Sequence, residues 1–321
     1  MNFIPLTEDQ LRQFIDAEST FTALEQARRG AEEVRGSMFW RGDKGKDYLV
    51  RATTAAKQRR LGARSTETEA IYQRFTDRKA AAESRVDSLQ KSLERHRRVN
   101  LALRVGRCPN ILVKILDRLD RLGLAKHFLT VGTHALYAFE AAAGGRITPE
   151  ALASQDVDLL FDTRKRVTFF ARLGEADLSF INVLQKADKT FEVKPDQLHT
   201  AVNGNGFEVG IIRRKAKDGD PHPLRMRHHE ADLWAVQVDS GEGMLGAASF
   251  SQMVVATDGS MARLTTMPPK SFVKIKRKLS TSISRDPLKR GKDGLQAVIV
   301  QELMDERLIE LRGKLPGFKD A

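Results

Sequence analysis

Seven residues from Asp156 to Asp162, Asp-Val-Asp-Leu-Leu-Phe-Asp, constrain this chain more than any other stretch. Side chains alternate along a strand. Val157, Leu159 and Phe161 therefore point one way, into a core. Asp156 and Asp158 point the other way, with Leu160 beyond them. Two carboxylates on one face repel, and each has its pKa raised unless a cation sits between them. Hard divalent cations with oxygen ligands, Mg²⁺ or Mn²⁺, meet that need. Paired metals can clamp an in-line phosphoryl displacement. The alternative is two surface aspartates capping turns, and for an isolated D-x-D that is the stronger reading.

The residues upstream change the balance. The run "HFLTV" reads as a short buried strand, and Gly132-Thr133 turns it into "HALYAFEAAAGG", a helix closed by Gly144-Gly145. Backbone N–H groups at a helix N-terminus form an anion site, and Thr133 adds a hydroxyl donor. An ordinary strand-to-helix turn uses the same residue types. Taken together, the turn and the aspartate strand make a phosphate cradle beside a metal site.

Other elements follow from periodicity. Thr66 to Asn100 reads as a long helix, with a capping box of Thr66 and Glu69 and an apolar stripe of Ile71, Phe75, Ala82, Val86, Leu89 and Leu93. The stripe suits one packed face of a helical N-terminal region better than a coiled-coil arm. "NILVKILDRLDRLG" is a second helix, stopped at Gly123. Asp177 is expected to cap "LSFINVLQKA". "GFEVGII" is a strand, and "FSQMVVATDGSMARLTTM" is a hairpin around Asp258-Gly259. After Pro268-Pro269 the chain turns helical and basic. Helix-rich ends around a mixed α/β centre predict an α+β protein of three units: a helical region over 1–105, a core over 106–265 and a basic helical region over 266–321.

The 321 residues suffice for two or three units. Apolar residues at 41% and charged residues at 30% read as soluble and globular. The formal charge of +12 favours a polyanionic partner, against the blander reading of a generally basic protein. One cysteine, Cys108, rules out an internal disulfide framework and a cysteine-based zinc site. No apolar run reaches a membrane span. "MNFIPLTEDQ" lacks the pattern of a signal peptide, so a cytoplasmic location is expected.

Strand, Gly-Ser/Thr, helix, then a strand with Asp-x-Asp resembles the signature of the nucleotidyltransferase superfamily, whose fold is that of DNA polymerase β. The chain is similar, from about Tyr48 onward, to a bacterial branch of that fold related to toxins of the AbiEii/MenT type. "VGTHALYAFEAAAG", "DVDLLFD" and "PPKSFVKIKRKLSTSISRDPLKRGKDGLQA" carry the similarity. The resemblance implies a polymerase β-like core: a mixed sheet with flanking helices. It implies that Gly132 and Thr133 bind phosphate and that Asp156 and Asp158 bind metal. It places a third aspartate where this chain has Gly210. Glu208 lies two residues earlier on the same strand face, so it either replaces that ligand or the ligand is lost. Lys276, Arg285, Lys289 and Lys292 match the late basic pattern and are expected to hold nucleotide phosphates; a solvated basic helix is the alternative. If that helix is continuous, Lys289, Lys292 and Asp293 share one face.

His222, His228, His229 and Glu230 fit no standard zinc spacing and read as a polar loop, a candidate polyanion contact. His134 is expected to pack or cap. Cys108 has no activating base nearby in sequence. The expected function is Mg²⁺- or Mn²⁺-dependent transfer of NMP from an NTP such as ATP to an acceptor hydroxyl. The charge favours RNA as acceptor, with the 3′ end of a tRNA suggested by the related toxins, and an antitoxin protein is a further expected partner. The alternative is a degenerate module that binds nucleotide or nucleic acid.

Overall fold

The computed structural model describes residues 2–53, 57–217, 219–227 and 232–307. His228, His229 and Glu230 lie outside the described residues. By contact, the chain divides into two units: Arg12–Ala102, and Met1–Leu11 together with Leu103–Ala321.

The first of these units holds most of the Glu8–Glu33 helix and the Thr66–Ala102 helix. The two run antiparallel, tied by Gln13 to Asn100 at 2.9 Å and by Thr20 to His96 at 3.2 Å. All six apolar stripe residues of the longer helix are half-buried. Its cap lies one residue earlier than the sequence suggests. Ser65 Oγ accepts from Thr68 N, and Thr68 Oγ1 accepts from Ser65 N, so Thr66 is already inside the helix. The reading of this region as helical needs a correction. Three antiparallel strands, Ser37–Asp43, Lys46–Ala52 and Gln58–Ala63, form a sheet between the helices. The first hairpin closes through Lys44 and Gly45, both at positive φ (49° and 77°), the geometry of a two-residue turn that matches strand twist. The apolar runs "MFW" and "YLV" flank that turn.

The larger unit is built on a seven-stranded mixed sheet. Asp156–Phe161 is central, with Phe128–Val131 antiparallel on one side and Glu208–Arg214 parallel on the other. The far edge of Glu208–Arg214 is shared: Gln197–Val202 pairs antiparallel with its first half and Trp234–Val238 parallel with its second. Parallel neighbours need both faces covered, and Val157, Leu159, Leu160 and Phe161 are indeed all fully buried. Rings of Phe128, Phe161, Phe169 and Phe180 pack against one another beneath the sheet.

The Asn110–Arg121 helix buries Leu112, Val113, Ile115, Leu116 and Leu119, as its spacing predicts, and Gly123 follows at φ 66°. The hairpin Phe250–Val255 with Met261–Thr266 turns at Asp258-Gly259 as expected. Asp177 does not cap the next helix. Ser179 does, accepting from Asn182 N, while the Asn182 side chain reaches back to Ser179 N. Asp177 instead sits at φ 48° and pairs with Arg227. The helices Pro269–Ser280 and Pro287–Arg307 pack together against the sheet unit, with Phe272 edge-on to Phe139. No described helix is long and apolar enough to cross a membrane.

Candidate active site

The Phe128–Val131 strand ends beside the aspartates, because Val131 is the cross-strand partner of Asp158. Gly132 then takes φ 69°, which favours glycine, and begins a 3₁₀ turn, Gly132–Ala135, that leads into the Leu136–Ala143 helix. The turn expected from sequence is present, with one tight 3₁₀ step before the α-helix proper. Thr133 Oγ1 accepts from Gln296 Nε2 at 3.1 Å, and the same amide donates to Ala151 O at 2.6 Å. Gln296 thus fixes the turn from the last helix, a link no local pattern announces.

Asp156 is exposed and accepts a hydrogen bond from Ser154 Oγ. Asp158 is half-buried on the same strand face. Burial first, and then Asp156, push the Asp158 carboxyl up to about 6, while Lys276, Arg285 and Lys289 pull it down. Those three cations therefore act on the Asp158 charge. Lys276 and Arg285 converge on Asp293, at 2.6 Å and 2.9 Å. Asp293 is 2% exposed and Lys276 6%. The Pro287–Arg307 helix is continuous, but Asp293 turns toward Lys276 and Arg285. Lys292 donates to Ala153 O; burial lowers its pKa and Asp156 draws it back up.

Glu208 is the cross-strand neighbour of Asp156, and Gly210 that of Asp158. The Glu208 carboxylate is held by Lys194 Nζ at 2.9 Å. A side-chain carbon at position 210 would stand 2.8 Å from Asp158 Oδ1, so glycine there leaves Asp158 its room. Among the described residues, no group of three or more His, Cys, Asp or Glu side chains is placed to hold one metal ion. Two carboxylates nevertheless fit Mg²⁺ or Mn²⁺, which are bound through one or two carboxylates and complete their shell with substrate phosphates and water. The raised Asp158 carboxyl is the group such a cation would relieve.

His134, second after Gly132, is 1% exposed, and neither ring nitrogen makes a hydrogen bond. Its ring packs edge-on against Phe207. Burial drives its pKa down to about 4, although the Asp156 carboxylate and carbonyl favour the cation. His222 contacts Arg213 and Gln237 in a polar loop.

A nucleotidyltransferase family model matches residues 110–314. This chain belongs to the nucleotidyltransferase family. The matched span contains the Gly132 turn, both aspartates and all four cations. Searches of curated proteins and of solved structures each returned no match. Family membership makes the chain a transferase of nucleotidyl groups with an NTP substrate.

Titration of His134 and Asp158 has opposite consequences in metal-free buffer. The folded pKa of His134 lies below its usual 6.5. Its stabilising contribution is complete above 6.5 and is lost as pH falls toward 4, on the order of 3 kcal/mol. The folded pKa of Asp158 lies above its usual 3.8. Its charge is disfavoured at neutral pH, and about as much stability returns as pH falls from 6 toward 4. Relative to wild type, His134→Leu is therefore expected to gain stability on acidification and Asp158→Asn to lose it. Urea titrations in EDTA across this range check both signs; parallel curves for all three proteins would contradict the assignment.

Proposed function

We propose that the chain is a Mg²⁺- or Mn²⁺-dependent nucleotidyltransferase with a DNA polymerase β-like core, moving NMP from an NTP to an acceptor hydroxyl. The supporting observation is that Lys276, Arg285 and Lys289 all lower the Asp158 pKa through their charges, on a strand whose Asp158 pairs with Val131 just before the Gly132 turn. Asp156 and Asp158 would hold the metal, which when bound supplies Lewis-acid stabilisation of the phosphates. Gly132 N–H and Thr133 would orient the triphosphate, and the cations would offset its charge. The acceptor oxygen then attacks the α-phosphorus in line as the bond to the β-phosphate oxygen breaks and pyrophosphate leaves. Fixing both partners accounts for much of the acceleration.

The acceptor we propose is RNA, with a tRNA 3′ end as first candidate and a toxin-like role with a cognate antitoxin. The +12 charge and the sequence resemblance support this reading. Incubation with each labelled NTP, Mg²⁺ and total RNA tests it. Label on RNA is expected; label on protein alone would redirect the acceptor, and no label with any NTP or acceptor would remove the transferase reading.

Glu208 is our candidate third ligand, exchanging Lys194 for the metal. If so, Glu208→Gln should lose most metal-dependent activity, and Lys194→Met should tighten Mn²⁺ binding by freeing the carboxylate. Gly210→Asp should help little, since the new side chain crowds Asp158. A silent Glu208→Gln with a more active Gly210→Asp would show instead that the two aspartates work alone.

A further inference from the structure

The excess positive charge of the chain is not spread evenly. Between Arg35 and Arg64 there are nine lysines and arginines against two aspartates, a net +7 within a chain of +12. The three-stranded sheet of the Arg12–Ala102 unit lies within this stretch. One face of that sheet packs on the long helix: Trp40 meets Tyr72, and Arg51 lies over Phe75. Strand alternation and register put Phe39, Arg41, Tyr48, Val50, Gln58 and Arg60 on the opposite face.

That opposite face is a layered surface. The Arg60 guanidinium lies 3.1 Å from the Tyr48 ring centroid, and Arg41 lies 5.5 Å from that of Phe39. Side chains of the outer strands bridge over the middle one: Arg41 to Gln58 and Arg60 to Asp43. Arg41 and Arg60 are themselves exposed, as are Lys44 and Lys46 at the hairpin end and Lys57 just before the third strand. Arginine planes and half-buried rings on a basic sheet suit one class of ligand. Nucleobases stack on guanidinium and aromatic faces, while peripheral cations track the phosphates. An acidic protein would satisfy the charge but not the stacking planes.

We propose that this sheet face binds single-stranded nucleic acid. The inference stands apart from the transfer reaction, since none of these residues belongs to the candidate active site. Fluorescence anisotropy of the full chain, without NTP, measures it with labelled 12-mers of single-stranded RNA and DNA, duplex RNA, and poly-glutamate as competitor. Both single strands should bind more tightly than duplex; a preference for RNA over DNA would identify contacts to the 2′-hydroxyl. Arg41→Gln/Arg60→Gln should weaken single-strand binding about tenfold or more. It should also lower the slope of log K against log salt, because two positive charges leave the binding face. Arg41→Lys/Arg60→Lys keeps the charge and loses the planar stack, so affinity should fall with the salt slope unchanged. Circular dichroism and Tm establish that each variant is folded. Unchanged binding by the Gln variant, equal affinity for duplex, or displacement by poly-glutamate at equal charge would overturn the proposal.

Discussion

Asp156→Ala and Asp158→Ala are each expected to lower nucleotidyl transfer by about 10³-fold or more. Removing a metal ligand forfeits several kcal/mol of transition-state charge stabilisation, and each 1.36 kcal/mol is a factor of ten. The fold should survive. Both residues sit at the polar end of a strand whose other side chains, Val157, Leu159, Leu160 and Phe161, carry the core. For Asp158→Ala the metal-free protein should hold its stability or gain some, because a carboxyl pushed up to about 6 is charged at neutral pH against its preference. Asp156→Ala also relieves that repulsion and gives up the Ser154 hydrogen bond and the attraction to Lys292. Single-turnover transfer of labelled nucleotide, paired with thermal unfolding in EDTA, measures both quantities. Wild-type turnover in either variant would falsify the metal assignment.

Asp293→Ala is expected to cost about 3–5 kcal/mol, the penalty for leaving a buried charge without its partner. Asp293 is 2% exposed and bonds both Lys276, 6% exposed, and Arg285. Burial already lowers the Lys276 pKa, and Asp293 is the main group holding it up. Without Asp293 the lysine pKa should fall further below its unfolded value. The variant should therefore recover part of its loss as pH rises toward 10. Replacing both partners, Lys276→Met with Asp293→Leu, should cost less than Asp293→Ala alone, since no buried ion then lacks a counter-charge. If Asp293→Ala unfolds within about 1 kcal/mol of wild type, the pair is solvated in solution and does not anchor the two C-terminal helices.

The arrangement gives Asp293 a second consequence. Lys276 and Arg285 both act on the Asp158 charge and both bond Asp293. The carboxylate thus fixes where two of the cations stand without itself belonging to the phosphate cradle. The sequence placed Asp293 beside Lys289 and Lys292 on one helix face, which is true of the helix, but its partners come from the preceding helix and the loop after it.

Much of the candidate site was legible because its parts are local. The alternation in Asp156–Phe161, the glycine at the end of Phe128–Val131 and the hairpin at Asp258-Gly259 are each set by a few adjacent residues. The errors were local too. Thr66 and Asp177 looked like helix caps, and Ser65 and Ser179 are the caps, because a one- or two-residue shift brings a better reciprocal hydrogen bond. The three-stranded sheet is hard to see in the sequence because the apolar runs that flank Lys44-Gly45, Met38-Phe39-Trp40 and Tyr48-Leu49-Val50, are too short for a clear two-residue period.

The sequence by itself determined which side chains share a face: Asp156 with Asp158, Glu208 with Gly210, and Lys289 with Lys292. Backbone geometry alone fixes that, at two residues per strand repeat and 3.6 per helical turn. Only the tertiary structure decided what each face meets. Strand pairing put Gly210 against Asp158 and Glu208 against Asp156, and the short strand Glu192–Lys194, beyond Gln197–Val202, brought Lys194 to Glu208. Helix packing delivered Gln296 to Thr133 and buried His134 beside Asp156. Such partners lie tens to more than a hundred residues apart in the chain. Periodicity records that a face is covered and carries no information about which distant segment covers it.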